Sequence, residues 1–459
     1  MKRIILILLL SLPLFAIGQV KPKDKAKPDT DNKATFSFYG FVRNYFNYDS
    51  RRTMTACGGE YNMIPYDEDW NITTEEEVTL IANGVTAVDG TELRFDRNAA
   101  PQAHLLALSS RFGLNLNGPE ILGGSSEGKF EADFAGFGTN NTVLRLRLAY
   151  LRLNWGGKYG QSLTIGQDWH PLTNGNMPKV LGMAAGAPFR PHSRTPQVTY
   201  TCWLPWRFGF TASALWQYQF TSPGPDGESA KYANESILPE MFFGLLYQSE
   251  HSNAMLGVDF TRLKVSQLMS VPYLVAGTAM YANVRFRGNC QSFSPTFLYE
   301  YEKDKFTLQF RSTLAENLGH LTIPGSGYAF IQDGSSYRFQ PLTASVSYLN
   351  LSYGKRWRAN LFLGYHKNLG LADGTLISDA AGEPDPAYVY TKKGVNNINS
   401  IYRVAPSISF NTKAFNIGLE YEWTAVTYGD LQSDGSVANN ANLHQVANHR
   451  LCALVKYNF

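Results

Sequence analysis

The sequence predicts an all-β fold, a transmembrane antiparallel β-barrel of about sixteen strands with short periplasmic turns and long extracellular loops. Three observations predict it. Apolar and polar residues alternate with period two in segment after segment, the pattern of a strand whose two faces meet different surroundings. Connections between these segments run short, then long, then short. The final nine residues, LCALVKYNF, still alternate, with Leu451, Ala453, Val455, Tyr457 and Phe459 on one face.

Taken in chain order, Lys2 and Arg3 precede the apolar run IILILLLSLPLFAI, and Ala16, Ile17 and Gly18 supply a small-x-small cleavage pattern. This predicts a signal peptide over 1–18, since a spanning helix needs about 20 apolar residues. The following QVKPKDKAKPDTDNKA, residues 19–34, is charged and contains proline, and predicts a disordered periplasmic lead-in. The barrel is expected over 35–459.

In the first strand Phe36, Phe38, Val42 and Phe46 oppose Ser37, Tyr39, Arg43, Tyr45 and Asn47. Later, Phe130, Ala132 and Phe134 oppose Lys129, Glu131 and Asp133, and Phe208, Phe210, Ala212 and Ala214 oppose Gly209, Thr211 and Ser213. Ile417, Leu419, Tyr421 and Trp423 oppose Gly418, Glu420 and Glu422. A β-sandwich alternates too. Aromatics near strand ends and charges in mid-strand favour a membrane barrel, its outer face in lipid and its inner face wet.

Short turns fall at GPEILGGSSEG, GGKYG, LPW, SEHSN, EKDK, YGKRW and NTKA. Longer connections are expected at 50–104, a brief GTNN, 171–196, 221–238, 267–288, 317–340, 370–399 and 430–448. Seven turns and eight loops join about sixteen strands, enough for an aqueous lumen. The first and last strands must then pair to remove the sheet edge, and the terminal aromatic fits a strand that closes the barrel.

Composition narrows the function. No second long apolar segment follows the leader, which excludes a helical membrane protein; 26 Tyr, 28 Phe and 40 Gly suit β-structure with aromatic girdles. A formal charge of +3 implies no nucleic-acid partner. Cys57, Cys202, Cys290 and Cys452 are dispersed, so neither a metal site nor a disulfide framework is indicated; a Cys57–Cys290 bridge stays open.

"GKFEADFAG", "RLRLAYLRLNWGG" and "LTIGQDWHPL", between Gly128 and Leu172, resemble the DcaP-like outer-membrane porin family. An acidic strand there precedes an Arg-rich strand and a GQxW-type strand. The resemblance implies a homotrimeric channel favouring small anions such as dicarboxylates. Those relatives carry a longer helical periplasmic extension than residues 19–34 could form.

Arg43, Arg111, Lys129, Arg145 and Arg147 fall on the polar faces of the first four strands, where neighbouring strands would gather them into a basic patch. Pairing with Glu131 and Asp133 across strands is the structural alternative, and the arginines outnumber those carboxylates. The loop 171–196 follows the fifth strand; its VLGMAAGAPF needs a surface to pack on, so the loop is expected to fold into the lumen and bring Lys179 and Arg190 with it, with an external loop or subunit contact as the alternative. Asp168 and His170 stand at its entrance. With no Ser nucleophile motif and no metal spacing among eight His, a positioning role is expected there, without catalysis or cofactor. The chain therefore reads as an outer-membrane porin for passive diffusion of small hydrophilic solutes, with a weak anion preference and lipid around it. A barrel enzyme, or an adhesin or scaffold using the loop 50–104, are the alternatives.

Overall fold

In lipid, strands with one apolar and one polar face are satisfied when the sheet closes on itself, apolar face outward and no edge left open. The computed structural model describes residues 34–459 except 57–58, 60, 88–90, 137–142, 157–159, 174–176, 276–277, 380 and 438–441. The expected leader, nearly all of the lead-in, Cys57 and the GTNN connection lie outside the described residues.

Sixteen antiparallel strands form the barrel. They are β1 (Thr35–Asp49), β2 (Gln102–Leu106 with Arg111–Asn117), β3 (Ser125–Asp133), β4 (Arg145–Trp155), β5 (Gln161–Trp169), β6 (Arg194–Trp203), β7 (Phe208–Leu215) and β8 (Glu240–Gln248). Then come β9 (Ser252–Val275), β10 (Thr278–Lys303), β11 (Phe306–Glu316), β12 (Ser336–Tyr353), β13 (Trp357–Leu371), β14 (Ile398–Asn411), β15 (Phe415–Tyr428) and β16 (His444–Asn458). The short turns join consecutive strands where the sequence places them. The connection expected over 267–288 differs: β9 and β10 stay paired from Ser252–Tyr301 to Val275–Thr278, so the hairpin continues as sheet. Val265, Met269 and Phe286 explain why, since they cluster with Phe330 and Tyr390 of the neighbouring connections and Phe339 of β12.

Outward side chains are apolar and rimmed by aromatics. Phe36, Phe38, Trp206, Tyr353, Trp357, Tyr457 and Phe459 are exposed around the short-turn end, Phe38 at 77% and Trp206 at 80%. Tyr48, Trp216, Tyr218 and Tyr402 are exposed toward the other rim. Two such aromatic belts bound the hydrocarbon-facing band of an outer-membrane barrel.

The seam is closed by β1 and β16, paired from Phe41–Asn458 to Asp49–Arg450. Gly40 and Phe459 extend it by exchanging backbone hydrogen bonds at 3.0 Å. Only glycine fits here: a Cβ at position 40 would sit 2.6 Å from the Phe459 ring and 2.7 Å from the Arg111 carbonyl. Asp49 accepts two bonds from the Arg450 guanidinium, at 2.8 and 2.7 Å, locking the same seam from inside.

Candidate functional site: an inward loop beside an arginine cluster

The segment between β5 and β6 enters the lumen, as its apolar composition requires. Lys179 reaches the Thr307 hydroxyl of β11 at 3.1 Å, and Gln309 donates to the Met177 carbonyl at 2.9 Å. Arg311 donates to the Leu172 carbonyl. Across the lumen, the Leu181 and Gly182 amides donate to the Glu420 carboxylate of β15 at 2.8 and 3.2 Å, and Tyr45 of β1 donates to the Leu181 carbonyl. Arg403 of β14 donates to the Ala187 carbonyl at 2.8 Å. The loop is thus tied to strands far around the barrel from those that launch it. Phe189 and Leu172 are fully buried in this arrangement, each contributing roughly 1.5–3 kcal/mol. Gly364 makes room for it: a Cβ there would stand 2.5 Å from the Phe189 ring.

Arg190 does not project as a free wall charge. Its guanidinium donates to the Thr173 and Ala185 carbonyls and staples the loop to itself. Lys179 sits 3.6 Å from Glu302.

The first long loop also turns inward. Thr53–Ala56 and Tyr61–Pro65 form a hairpin whose Asn62 donates to Glu422 at 2.6 Å and whose Tyr61 hydroxyl lies 2.7 Å from His192 Nε2. Tyr428 donates to the Pro65 carbonyl. The loop 50–104 is therefore not one external binding surface: its first part lines the lumen, and the exposed remainder holds one helix, α1 (Thr74–Ala82).

Along the wall facing the loop, the basic residues of the first four strands are drawn together with carboxylates. Asp133 accepts from Arg145 Nε at 2.9 Å and Nη2 at 2.8 Å, and from Arg147 Nη1 at 2.8 Å. Glu131 accepts from Arg147 Nε at 2.7 Å and from the Tyr39 hydroxyl at 2.9 Å, with Arg111 at 3.3 Å. Arg145 and Arg147, two apart on β4, share the lumen side, and a register shift after Glu131 makes Arg147 the extra residue of the strand. These charges are buried, Asp133 completely and Arg147 at 2% exposure. A mid-strand charge need not imply a wet wall: charge pairs with nearly ideal geometry can be enclosed.

The other sequence-selected groups spread out. Arg43 donates to the Tyr45 hydroxyl and lies over the Phe41 ring at 4.5 Å. Lys129 lies over the Tyr39 ring at 5.2 Å. Asp168 pairs with Arg152 at 3.2 Å, whereas His170 bonds Glu240 at 2.7 Å, so the two form no dyad.

One residue outside the selected set completes the cluster. Arg194, at the start of β6, is fully buried and lies over Trp169 at 4.7 Å, with Arg147 near the same ring at 5.6 Å. None of its three guanidinium nitrogens has a hydrogen-bond partner among the described residues. Four guanidiniums, of Arg111, Arg145, Arg147 and Arg194, therefore share two carboxylates. Its sequence signal was only that of one more loop arginine.

No protein-family model matches the chain, and no curated protein matches it. Among solved structures, the chain is similar to the outer membrane channel DcaP of Acinetobacter baumannii, with 17% identity over 95% of this chain and 100% of that one, at a TM-score of 0.56. It also aligns with an anion-selective porin from Comamonas acidovorans, 10% identical over 93% of this chain and 100% of that one, at 0.47. OmpT of Vibrio cholerae aligns at 13% identity over 94% of this chain and 99% of that one, at 0.46. The first likeness, spanning nearly the whole chain, establishes the fold as that of an outer-membrane porin.

Proposed function

We propose that this chain is an outer-membrane porin: a passive channel for small hydrophilic solutes with a weak preference for anions, its leader over 1–18 removed on export and residues 19–34 leading into the barrel. The observation that carries the channel reading is an apolar, aromatic-rimmed outer surface around a polar lumen that an inward loop narrows. A loop anchored across a barrel constricts it and sets which solutes pass. The anion preference rests on the excess of guanidinium over carboxylate beside that loop, which raises the local concentration of counter-ions. The pairing of Arg145 and Arg147 keeps the preference weak, because most of the positive charge there is answered within the wall. A homotrimer, implied by the sequence resemblance, would set three such lumens side by side.

Planar-bilayer recording of the purified protein tests this. Stepwise, ohmic conductance increments with a zero-current potential displaced toward anions in a salt gradient are expected. Absence of conductance from folded, heat-modifiable protein would remove the channel reading.

A further inference from the structure

Four side chains outside the arginine cluster converge elsewhere in the barrel, one of them, His170, at the entrance of the inward loop. His170 follows β5, Glu240 opens β8, Asp259 lies in β9, and His320 sits in the 3-10 turn Gly319–Leu321 between β11 and β12. All four are buried. His170 Nε2 is 2.7 Å from Glu240 Oε1 and 3.8 Å from Asp259 Oδ2. His320 Nε2 lies 3.1 Å from the Glu240 carboxylate. Ligand atoms of His170, Glu240 and Asp259 all fall within 4.8 Å of one another. Asp259 Oδ1 accepts the Thr261 hydroxyl, but Oδ2 points into the cluster without a partner among the described residues.

Two carboxylates this close in a dry site repel unless a proton or a cation stands between them. No Lys or Arg bonds either one among the described residues; their only basic neighbours are the two imidazoles. We propose that His170, Glu240 and Asp259 bind one transition-metal dication, with Zn2+ preferred, while His320 bonds the Glu240 carboxylate from outside. Two carboxylates neutralise a dication, and an imidazole ligand departs from the oxygen-only sets that Ca2+ and Mg2+ take. With bonds of about 2.0–2.2 Å, tetrahedral ligand atoms stand roughly 3.3–3.6 Å apart. The His170–Glu240 and His170–Asp259 separations of 2.7 and 3.8 Å lie on either side of that range, so small side-chain shifts suffice.

One feature of the centre must change on binding. The Leu172 amide donates to His170 Nδ1 at 3.1 Å, which places the ring proton of neutral His170 on Nε2, toward Glu240. Coordination through Nε2 moves that proton to Nδ1 and breaks the Leu172 bond. One backbone hydrogen bond is a small loss against a metal–nitrogen bond, and Leu172 keeps its carbonyl anchor to Arg311. Metal binding would then tie the end of β5 to β8 and β9 through a single atom, independently of any transport role.

The test uses the full barrel, folded in detergent, stripped with chelator and titrated with Co2+ as an optical probe. One equivalent per chain is expected, with the visible bands of four-coordinate Co2+ and displacement by one equivalent of Zn2+. Asp259→Asn should weaken Co2+ binding about a hundredfold or more, and His320→Gln, which removes the outer partner of the Glu240 ligand, about tenfold or more. Heat-modifiable mobility verifies that each variant is folded, and if Asp259→Asn fails to fold, His320→Gln decides. Absence of a saturable band in folded wild type, or wild-type affinity in the folded variants, overturns the proposal.

Discussion

Replacing Arg194 by Met should make the protein more stable and less anion-preferring at once. Met keeps the length of the side chain and its contact with Trp169, but removes a buried guanidinium that no described residue satisfies. An unsatisfied buried polar group costs about 1–3 kcal/mol, and the neighbouring arginines add repulsion. The lost cation–π contact offsets roughly 0.5–2 kcal/mol. The net expectation is a gain of about 1–2 kcal/mol, read as a higher urea midpoint at unchanged slope. For permeation, a unit charge about 8 Å from a passing ion contributes ~2 kcal/mol at an effective dielectric near 20. If lumen water leaves a quarter of that, about 0.5 kcal/mol favours the anion and the same amount disfavours the cation, together roughly a fivefold fall in the anion-to-cation permeability ratio on losing the charge. Zero-current potentials in a low-salt gradient measure it, and the effect should shrink at 1 M salt, where screening shortens to ~3 Å. Arg147→Met is the contrast: it leaves Glu131 and Asp133 short of a partner and should destabilise by roughly 3–5 kcal/mol. A less stable Arg194→Met with wild-type selectivity would refute the claim that Arg194 carries uncompensated charge.

Deleting 177–192 should raise single-channel conductance; unchanged conductance in a folded variant would mean the loop does not limit flow. Asp133→Asn strands two guanidiniums and should cost about 3–5 kcal/mol in urea unfolding, and a shift under 1 kcal/mol would show that the pairs are weak. Gly40→Val forces a Cβ onto the Arg111 carbonyl, which cannot move aside as the Phe459 ring can, and should slow folding into lipid vesicles, seen as a reduced heat-modifiable fraction. Wild-type folding of that variant would show that the seam tolerates a side chain there.

The barrel was legible because its signal is local. Period-two alternation and turn residues can be read within ten positions, and the seven short connections between strands follow from them. The hairpin 267–288 was misread as a loop because Pro272, Gly277 and Gly288 look like breakers, whereas the packing that extends the sheet comes from Phe330 and Phe339, over forty residues away. Pairing of Arg145 and Arg147 depends on cross-strand register and on a bulge, neither of which spacing reveals. The convergence of His170 on Glu240 and His320, 70 and 80 positions from Glu240, has no local trace at all. Arg194 was visible as a residue, but its lack of a hydrogen-bond partner among the described residues belongs to the assembled barrel.

The seam between β1 and β16 also governs the order of events in assembly. Asp49 and Arg450 are 401 positions apart, and closing a loop of that length costs about 5 kcal/mol of chain entropy before any contact forms. Fourteen strands can add to a growing sheet by neighbour-to-neighbour hairpins, each a short-range step. The final pairing alone must wait for the others, so until it happens the sheet carries two open edges and a solvated Asp49. Sealing is therefore a checkpoint: a chain whose pairing has slipped by one residue anywhere around the sheet presents the wrong face of β1 to β16, finds no Arg450 opposite Asp49 and no glycine under Phe459, and stays open to proteolysis.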